Sequence, residues 1–134
     1  MLAETELLTR LVVSMILGAL VGLERQMDAV PAGFRTHMLI CLGATLFTVV
    51  SFEFAGATDP SRIAAGIVTG IGFLGAGAIF KSETGVKGLT TAADLWVITA
   101  IGMAVGMGYY LAAIATTILV VVILILKKVS KGKV

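Results

Sequence analysis

Charged side chains are scarce in this sequence of 134 residues. Asp, Glu, Lys and Arg together make up 13 % of it, against about 25 % in an ordinary soluble domain. Such a composition excludes the usual surface of a soluble protein. Cysteine occurs once, so no disulfide can form within the chain, and we expect the lone thiol, Cys41, to serve in packing.

Motifs that hold metals or activate nucleophiles are also missing. The sequence contains no H-E-x-x-H, no C-x-x-C and no G-x-S-x-G, the spacings that mark metalloproteases, redox or zinc sites and serine hydrolases. It therefore gives no positive sign of an enzyme. We predict a non-enzymatic protein without a cofactor or a nucleic-acid partner. Whether the protein binds Mg²⁺ is a question that these motifs leave open.

Long apolar runs dominate the sequence instead. Hydrophobic residues make up 58 % of the chain, and the mean hydropathy is +1.06. A helix crosses the hydrocarbon core of a bilayer with about 20 residues. Five runs of about this length predict an all-α integral membrane protein, with residues 1–134 as one transmembrane domain. The runs are 7–23, 34–54, 63–80, 92–107 and 109–126.

Positive charges are divided unevenly between the two sides of these runs. With five spans, eight of the ten Lys and Arg residues fall on the side of the C-terminal tail KKVSKGKV, and Arg10 and Arg62 fall on the other. Cytoplasmic loops carry the excess of Lys and Arg. We therefore predict an N-terminus outside and a C-terminus in the cytoplasm, where the tail would contact anionic lipid.

Several polar residues fall near the cytoplasmic ends of the predicted helices. Charged side chains at membrane depth are costly unless they pair or line a wet cavity, so we predict one functional cluster. In it, Arg35 would pair with Glu24 or Asp94, and these two carboxylates are the candidate metal ligands. The cluster comprises Glu24, Arg25, Arg35, Thr36, His37, Thr90, Thr91 and Asp94.

Each of these residues also has a simpler structural interpretation. Thr91 and Asp94 have the spacing of a capping box, in which Asp94 would only bind backbone N–H groups at a helix start. His37 is either a hydrogen-bonded structural histidine or a residue that senses protons or contacts ions. On the outer side, Asp59 precedes a proline and is predicted to cap the third helix, with Arg62 as an interface anchor.

Glycines recur at helical spacing in the first, third and fourth runs, where each contains a G-x-x-x-G pair. Small residues at this spacing let membrane helices approach closely. Three such faces are more than a five-helix bundle needs, so we predict that some join subunits of a homodimer or another homo-oligomer. The predicted packing glycines are Gly18, Gly22, Gly66, Gly70, Gly72, Gly75, Gly77, Gly102 and Gly106.

Three of these glycines, Gly70, Gly72 and Gly75, also spell the G-x-G-x-x-G motif of dinucleotide-binding folds. That motif needs a preceding strand and a soluble βαβ unit around it. Here it lies inside an apolar run of membrane-spanning length. We therefore interpret it as part of a transmembrane helix.

Six segments of the chain follow one another as they do in the MgtC/SapB family, which the sequence resembles from about residue 11 to about residue 126. The segments are GLERQ (22–26), AGFRTH (32–37), LGA (42–44), DPSRIAA (59–65), GIGFLGAGAIF (70–80) and KGLTTAADLW (87–96).

This resemblance implies a multi-pass protein of the bacterial or archaeal cytoplasmic (inner) membrane, linked to magnesium limitation. The best-known member of the family acts on the F-type ATP synthase. Longer members carry a soluble C-terminal domain, whereas this sequence ends soon after its last apolar run and resembles a short form.

Two functions follow as hypotheses. The first is a non-enzymatic regulator that binds another membrane protein, the F-type ATP synthase by resemblance, and shifts ion or proton balance. The alternative is a small carrier or channel for Mg²⁺ or another ion that uses the charged cluster. Mg²⁺ prefers several oxygen ligands in octahedral array. Glu24 and Asp94 offer few, and the neighbouring arginines compete with a cation for them, so we favour regulation.

Overall fold

A computed structural model of the chain describes residues 2–53, 59–83 and 85–131, with side chains up to residue 126. It contains the five helices that the sequence predicts, together with a short two-stranded hairpin. The helices are α1 (Glu4–Met27), α2 (Phe34–Glu53), α3 (Ser61–Ala78), α4 (Leu89–Gly106) and α5 (Tyr110–Lys131), and the strands are β1 (Phe80–Ser82) and β2 (Gly85–Lys87).

Four of the helices, α1 to α4, are long and apolar enough to cross a membrane. In α5, the apolar stretch whose side chains are described is Tyr110–Leu126. The protein is therefore a multi-pass membrane protein built from helices. Four residues of the predicted runs and tail, Phe54, Gly132, Lys133 and Val134, lie outside the described residues, as do the side chains of residues 127–131.

The fourth helix begins earlier than predicted, at Leu89 instead of residue 92. It is preceded by Gly88, whose φ of 88° is in the left-handed region that favours glycine. A Cβ at Gly88 would overlap the carbonyl oxygen of Ala78, so glycine also lets the end of α3 meet the start of α4. As a result Thr91 and Asp94 lie inside α4, no side-chain cap is formed at its start, and the capping-box interpretation is wrong.

The hairpin follows α3, which ends at Ala78, so Phe80, the last residue of the predicted third run, lies in β1 and not in a helix. The rest of the hairpin lies where the sequence predicts a loop. Its strands pair antiparallel, with Phe80 opposite Lys87 and Ser82 opposite Gly85. Each strand has three residues, too few to show the apolar alternation by which strands are recognised. The all-α prediction holds for the membrane part, and the hairpin is a small addition to it.

The second helix packs between α1 and α4, and glycines on both neighbours allow the close approach. A Cβ at Gly18 of α1 would lie 2.8 Å from the carbonyl oxygen of His37, and one at Gly102 of α4 would overlap that of Cys41. The Thr45 hydroxyl donates to the Gly102 carbonyl over 2.7 Å. Two of the three predicted G-x-x-x-G faces therefore join helices of the same chain.

The third face, on α3, is open. A Cβ at Gly66, Gly70, Gly72 or Gly77 would meet nothing within 4 Å, whereas one at Gly75 would make an ordinary contact with α4. The three glycines of the G-x-G-x-x-G motif all lie within α3, as the helical interpretation predicts. The open face borders a groove between α2 and α3 that is lined by Leu39, Gly43, Phe47, Ile63, Gly66 and Gly70.

The apolar core lies between α1, α2, α4 and α5. Cys41 is fully buried there, in agreement with the packing role that the sequence predicts. Of α3, only Ile71 and Gly75 are buried. The core residues are Leu17, Val21, Cys41, Ile98, Ile101, Val105, Ala113, Val120 and Leu124.

Candidate functional site

Arg25 is fully buried near the end of α1, and it is the centre of a charged cluster. Its Nε donates to Glu24 Oε2 over 2.7 Å, and its Nη2 donates to Asp28 Oδ2 over 3.0 Å. The same Nε lies 3.8 Å from Asp94 Oδ2 on α4. Because a buried charge is costly unless it is paired and hydrogen-bonded, these three carboxylates are what allows an arginine at this depth.

His37 joins this cluster from the first turn of α2. Its ring is fully buried, with Nε2 2.9 Å from Asp94 Oδ2 and Nδ1 2.9 Å from the carbonyl oxygen of Gly33. Asp94 is the sixth residue of α4 and has an exposed side-chain fraction of 1 %. One carboxylate therefore connects α4 to both α1 and α2.

The chain between α1 and α2 is shaped to bring these groups together. After Met27, Ala29 adopts a left-handed conformation with φ of 53°, and the chain turns back toward α2. The two helices then meet closely at Gly22, where a Cβ would lie 2.8 Å from Phe34 Cα and 3.0 Å from His37 Cβ. A glycine three residues before Arg25 thus places the arginine beside the start of α2.

The structure brings together four of the eight predicted cluster residues, namely Glu24, Arg25, His37 and Asp94. Arg35 is exposed, so its predicted pairing with Glu24 or Asp94 is wrong. Residues two positions apart in an α-helix, such as Arg35 and His37, lie about 200° apart around the helix axis. His37 faces inward. Arg35 must therefore face outward, and Arg25 takes its place.

The three predicted threonines lie near the cluster in sequence but differ in burial. Thr91 is buried, one turn of α4 before Asp94. Thr36 is half-buried and Thr90 is exposed. Of the three, Thr91 is the one whose position on α4 matches that of the cluster.

Asp28 is a cluster residue that the sequence analysis missed. It follows α1 directly as its C-terminal cap residue, and its side chain is 15 % exposed. The spacing of three residues between Arg25 and Asp28 is that of an ion pair on one helix face. That spacing was the available signal.

A second polar network, at the opposite end of the bundle, was also missed. Arg10 of α1 donates from Nη1 to the carbonyl oxygen of Gly106, over 2.6 Å, and from Nε to Glu6, over 2.9 Å. The Tyr110 hydroxyl donates to the same Glu6 oxygen over 2.7 Å. The network ties α1 to the end of α4 and the start of α5, and its residues are satisfied by one another.

The predicted outer-side motif lies at that same end. Asp59 accepts hydrogen bonds from the Ser61 backbone N–H, over 2.9 Å, and from the Ser61 hydroxyl, over 2.7 Å. The hydroxyl first, and then the N–H, hold the pKa of Asp59 below its ordinary value. Pro60 is the N-cap residue itself, so Asp59 stabilises the start of α3 from one position earlier than predicted. Arg62 is exposed.

Across the described residues, no group of three or more His, Cys, Asp or Glu side chains is arranged to hold a metal ion. The two candidate metal ligands, Glu24 and Asp94, instead face Arg25, and Asp94 also faces His37. Chemically, the cluster is a set of ion pairs with one histidine. It is suited to holding α1, α2 and α4 together.

The sequence profile of the MgtC family matches residues 11–132. The chain belongs to the MgtC family. The match confirms the resemblance that the six sequence segments indicate. In this MgtC family protein the match runs from within α1 to the end of α5, and the whole charged cluster lies within it.

Several curated proteins resemble this MgtC family chain. It is 45 % identical over 127 residues to a protein of Escherichia coli strain K12 named "Putative magnesium transporter YhiD", with 89 % of this chain and 59 % of that protein covered. Proteins named MgtC are 46 % identical, over 108 residues in Brucella abortus and 110 in Salmonella typhimurium. The matches cover 81 % and 82 % of this chain, and 45 % and 47 % of those proteins.

The chain therefore spans less than two thirds of the length of these relatives. No solved structure matches it significantly.

Proposed function

We propose that this protein acts in magnesium homeostasis in the bacterial cytoplasmic membrane, as a non-enzymatic regulator of another membrane protein. The link to magnesium is supported by membership of the MgtC family and by the name of the Escherichia coli relative. By family resemblance, the F-type ATP synthase is the first partner to test.

The observation that favours regulation over transport is the ion pairing inside the charged cluster. Arg25 is fully buried and ion-paired with Glu24, Asp28 and Asp94. Mg²⁺ demands near-octahedral oxygen coordination and gives up its water reluctantly. A cation entering here would have to displace a guanidinium from the carboxylates it needs, and that guanidinium would then repel it.

The proposal includes five membrane spans, with the N-terminus outside and the C-terminus in the cytoplasm. The 17 apolar residues Tyr110–Leu126 of α5 reach the lower limit of about 17 residues for a span. The division of Lys and Arg, eight against two, gives the orientation. On this arrangement the Arg25 cluster lies at the cytoplasmic end of the bundle.

We also propose that the protein forms a homo-oligomer through the open face of α3. Gly66 and Gly70 leave room there for a neighbouring backbone, whereas Gly18 and Gly102 already pack against α2. A second copy or a different membrane protein would bury that face in the same way.

The alternative function is a carrier for Mg²⁺ or another ion, and the name of the Escherichia coli relative favours it. In that case the ion would reach the cluster past Asp28, whose side chain is 15 % exposed.

Flux measured with purified protein in liposomes distinguishes the two functions. With a Mg²⁺-sensitive dye inside the vesicles, regulation predicts no flux above that of protein-free vesicles. Flux that is lost in Asp94→Asn and kept in the matched outer-side variant Asp59→Asn would establish the carrier. Co-purification with the F-type ATP synthase from magnesium-limited cells, compared between the natural chain and Gly66→Leu, then tests the partner.

A further inference from the structure

The hydrogen bonds of His37 require one more proton than a neutral ring and an ionised carboxylate contain. Nδ1 lies 2.9 Å from the carbonyl oxygen of Gly33, which can only accept, so Nδ1 carries a hydrogen. Nε2 lies 2.9 Å from Asp94 Oδ2. A neutral ring with its hydrogen on Nδ1 has a lone pair on Nε2, which would face a second acceptor if Asp94 were ionised.

We propose that His37 and Asp94 form a proton-binding site, in which one proton is held between Nε2 and Oδ2 at neutral pH. The pair is then either an imidazolium beside a carboxylate or a neutral imidazole that accepts from a carboxylic acid. Both forms give Nε2 and Oδ2 a donor and an acceptor. The site goes beyond the proposed function and does not depend on it.

The other elements packed around the pair add no further buried charge in the part of the chain that is described. The lysines of β1 and β2 are exposed. The tyrosine that opens α5 and the arginine in the first turn of α3 lie at the opposite end of the bundle. At this end of the bundle, the titratable side chains of α1 with its cap and of α2 are Glu24, Arg25, Asp28, Arg35, His37 and Cys41.

The cluster has one partly exposed edge. His37 and Asp94 are fully or almost fully buried, whereas Glu24 and Asp28 have exposed side-chain fractions of 8 % and 15 %. Asp28 and Asp94 both lie against Arg25, Asp28 at the exposed edge and Asp94 inside.

The direct test is nuclear magnetic resonance of the full chain in lipid or detergent, labelled with ¹⁵N-histidine and ¹³C-aspartate. His37 is the single histidine of the sequence, so the ring signals need no assignment. At about pH 7.5 an exposed histidine is about nine-tenths neutral. We expect either both ring nitrogens to be protonated, or a neutral ring with a protonated Asp94 carboxyl. A neutral ring beside an ionised Asp94 would overturn the proposal.

Asp94→Asn sharpens this test. The introduced amide N–H can donate to the Nε2 lone pair of a neutral ring, so the hydrogen bonds are complete without the extra proton. We expect a neutral His37 ring at about pH 7.5 in this variant. Asp59→Asn, at the other end of the bundle, is the matched control and should keep the proton. A ring that is still doubly protonated in Asp94→Asn would count against a shared site, and if that variant does not fold, the measurement on the natural chain still decides.

Discussion

The third and fourth helices have the same length and the same glycine motif, yet they are used in opposite ways. Each has 18 residues and a G-x-x-x-G pair. Half of the apolar window of α4 is buried inside the chain, against 17 % of that of α3. The glycines of α4 press against α2, while a Cβ at Gly66 or Gly70 of α3 would meet nothing within 4 Å.

The difference shows that a glycine motif indicates that a helix can pack closely. The motif does not indicate which helix is the partner. In α4 the motif is accompanied by inward-facing polar groups, Asp94 and the Gly102 carbonyl, which bind side chains of the neighbouring helices. The Thr69 hydroxyl of α3 bonds within its own helix, to the Ala65 carbonyl. Polar contacts to neighbouring helices thus distinguish the interior helix, α4, from the peripheral helix, α3.

The largest effect is expected at the charged end of α4. Arg25→Ala removes the cation that faces the buried carboxylate of Asp94, at a cost of about 3–5 kcal/mol in the free energy of unfolding. Arg35→Ala, an exposed arginine at the same end, should cost about 0–1 kcal/mol. Unfolding in detergent measures both. A non-additive double-mutant cycle with Asp94→Asn would place Arg25 and Asp94 in one network, and equal costs for the two arginines would contradict it.

Gly102→Leu tests the close approach of α4 to α2. The new side chain would meet the Cys41 carbonyl, and we expect a loss at or above the upper end of the about 1–3 kcal/mol that overpacking usually costs. Thermal unfolding and the yield of monodisperse protein are the measurements. A stable, monodisperse Gly102→Leu protein would mean that the two helices are farther apart than described.

Two threonines allow a smaller and closely matched comparison. Thr45→Val removes the hydrogen bond from α2 to the Gly102 carbonyl, and interhelical hydrogen bonds in membrane proteins contribute about 0.6 kcal/mol on average. Thr69→Val removes a bond within α3 that is exposed, and we expect no measurable loss of stability. The difference between the two variants, from unfolding titrations, isolates the contribution of the interhelical bond.

The smallest effect on folding is expected for Gly66→Leu. Nothing lies within 4 Å of the new Cβ, so the free energy of unfolding should change by less than about 0.5 kcal/mol, as for other surface sites. If the open face of α3 joins two copies, native mass spectrometry should show less dimer for this variant. Monomer alone in the natural chain, in mild detergent, would argue against a homo-oligomer.

The sequence predicts the helices of this protein well because apolar runs of membrane length leave few alternatives. The bounds differ where a helix continues past its apolar run, as at the start of α4, which includes Thr90 and Thr91 although the apolar run begins only at residue 92. Glycine spacing correctly marks α1 and α4 as packing helices. It could not show that both pack against α2 of the same chain, because G-x-x-x-G contains no information about its partner.

For the candidate site, the sequence predicts how deep each residue lies in the membrane, but not the direction in which its side chain points. Helix ends on one side of the membrane place Glu24, Arg25, His37 and Asp94 at a common level, and the structure brings these four together. Which arginine faces inward depends on how each helix is rotated about its axis. That rotation is set by contacts such as Gly22 against the start of α2, which a single sequence does not reveal.

The pairing of Arg25 with its own sequence neighbours has a consequence for biogenesis. Glu24 is the preceding residue and Asp28 follows three residues later, so the first helical hairpin can leave the ribosome and enter the bilayer with its arginine already neutralised. Asp94 is synthesised only after two further helices. The counterions of Arg25 are therefore made before α4, and α4 adds Asp94 to a pairing that the first hairpin already contains.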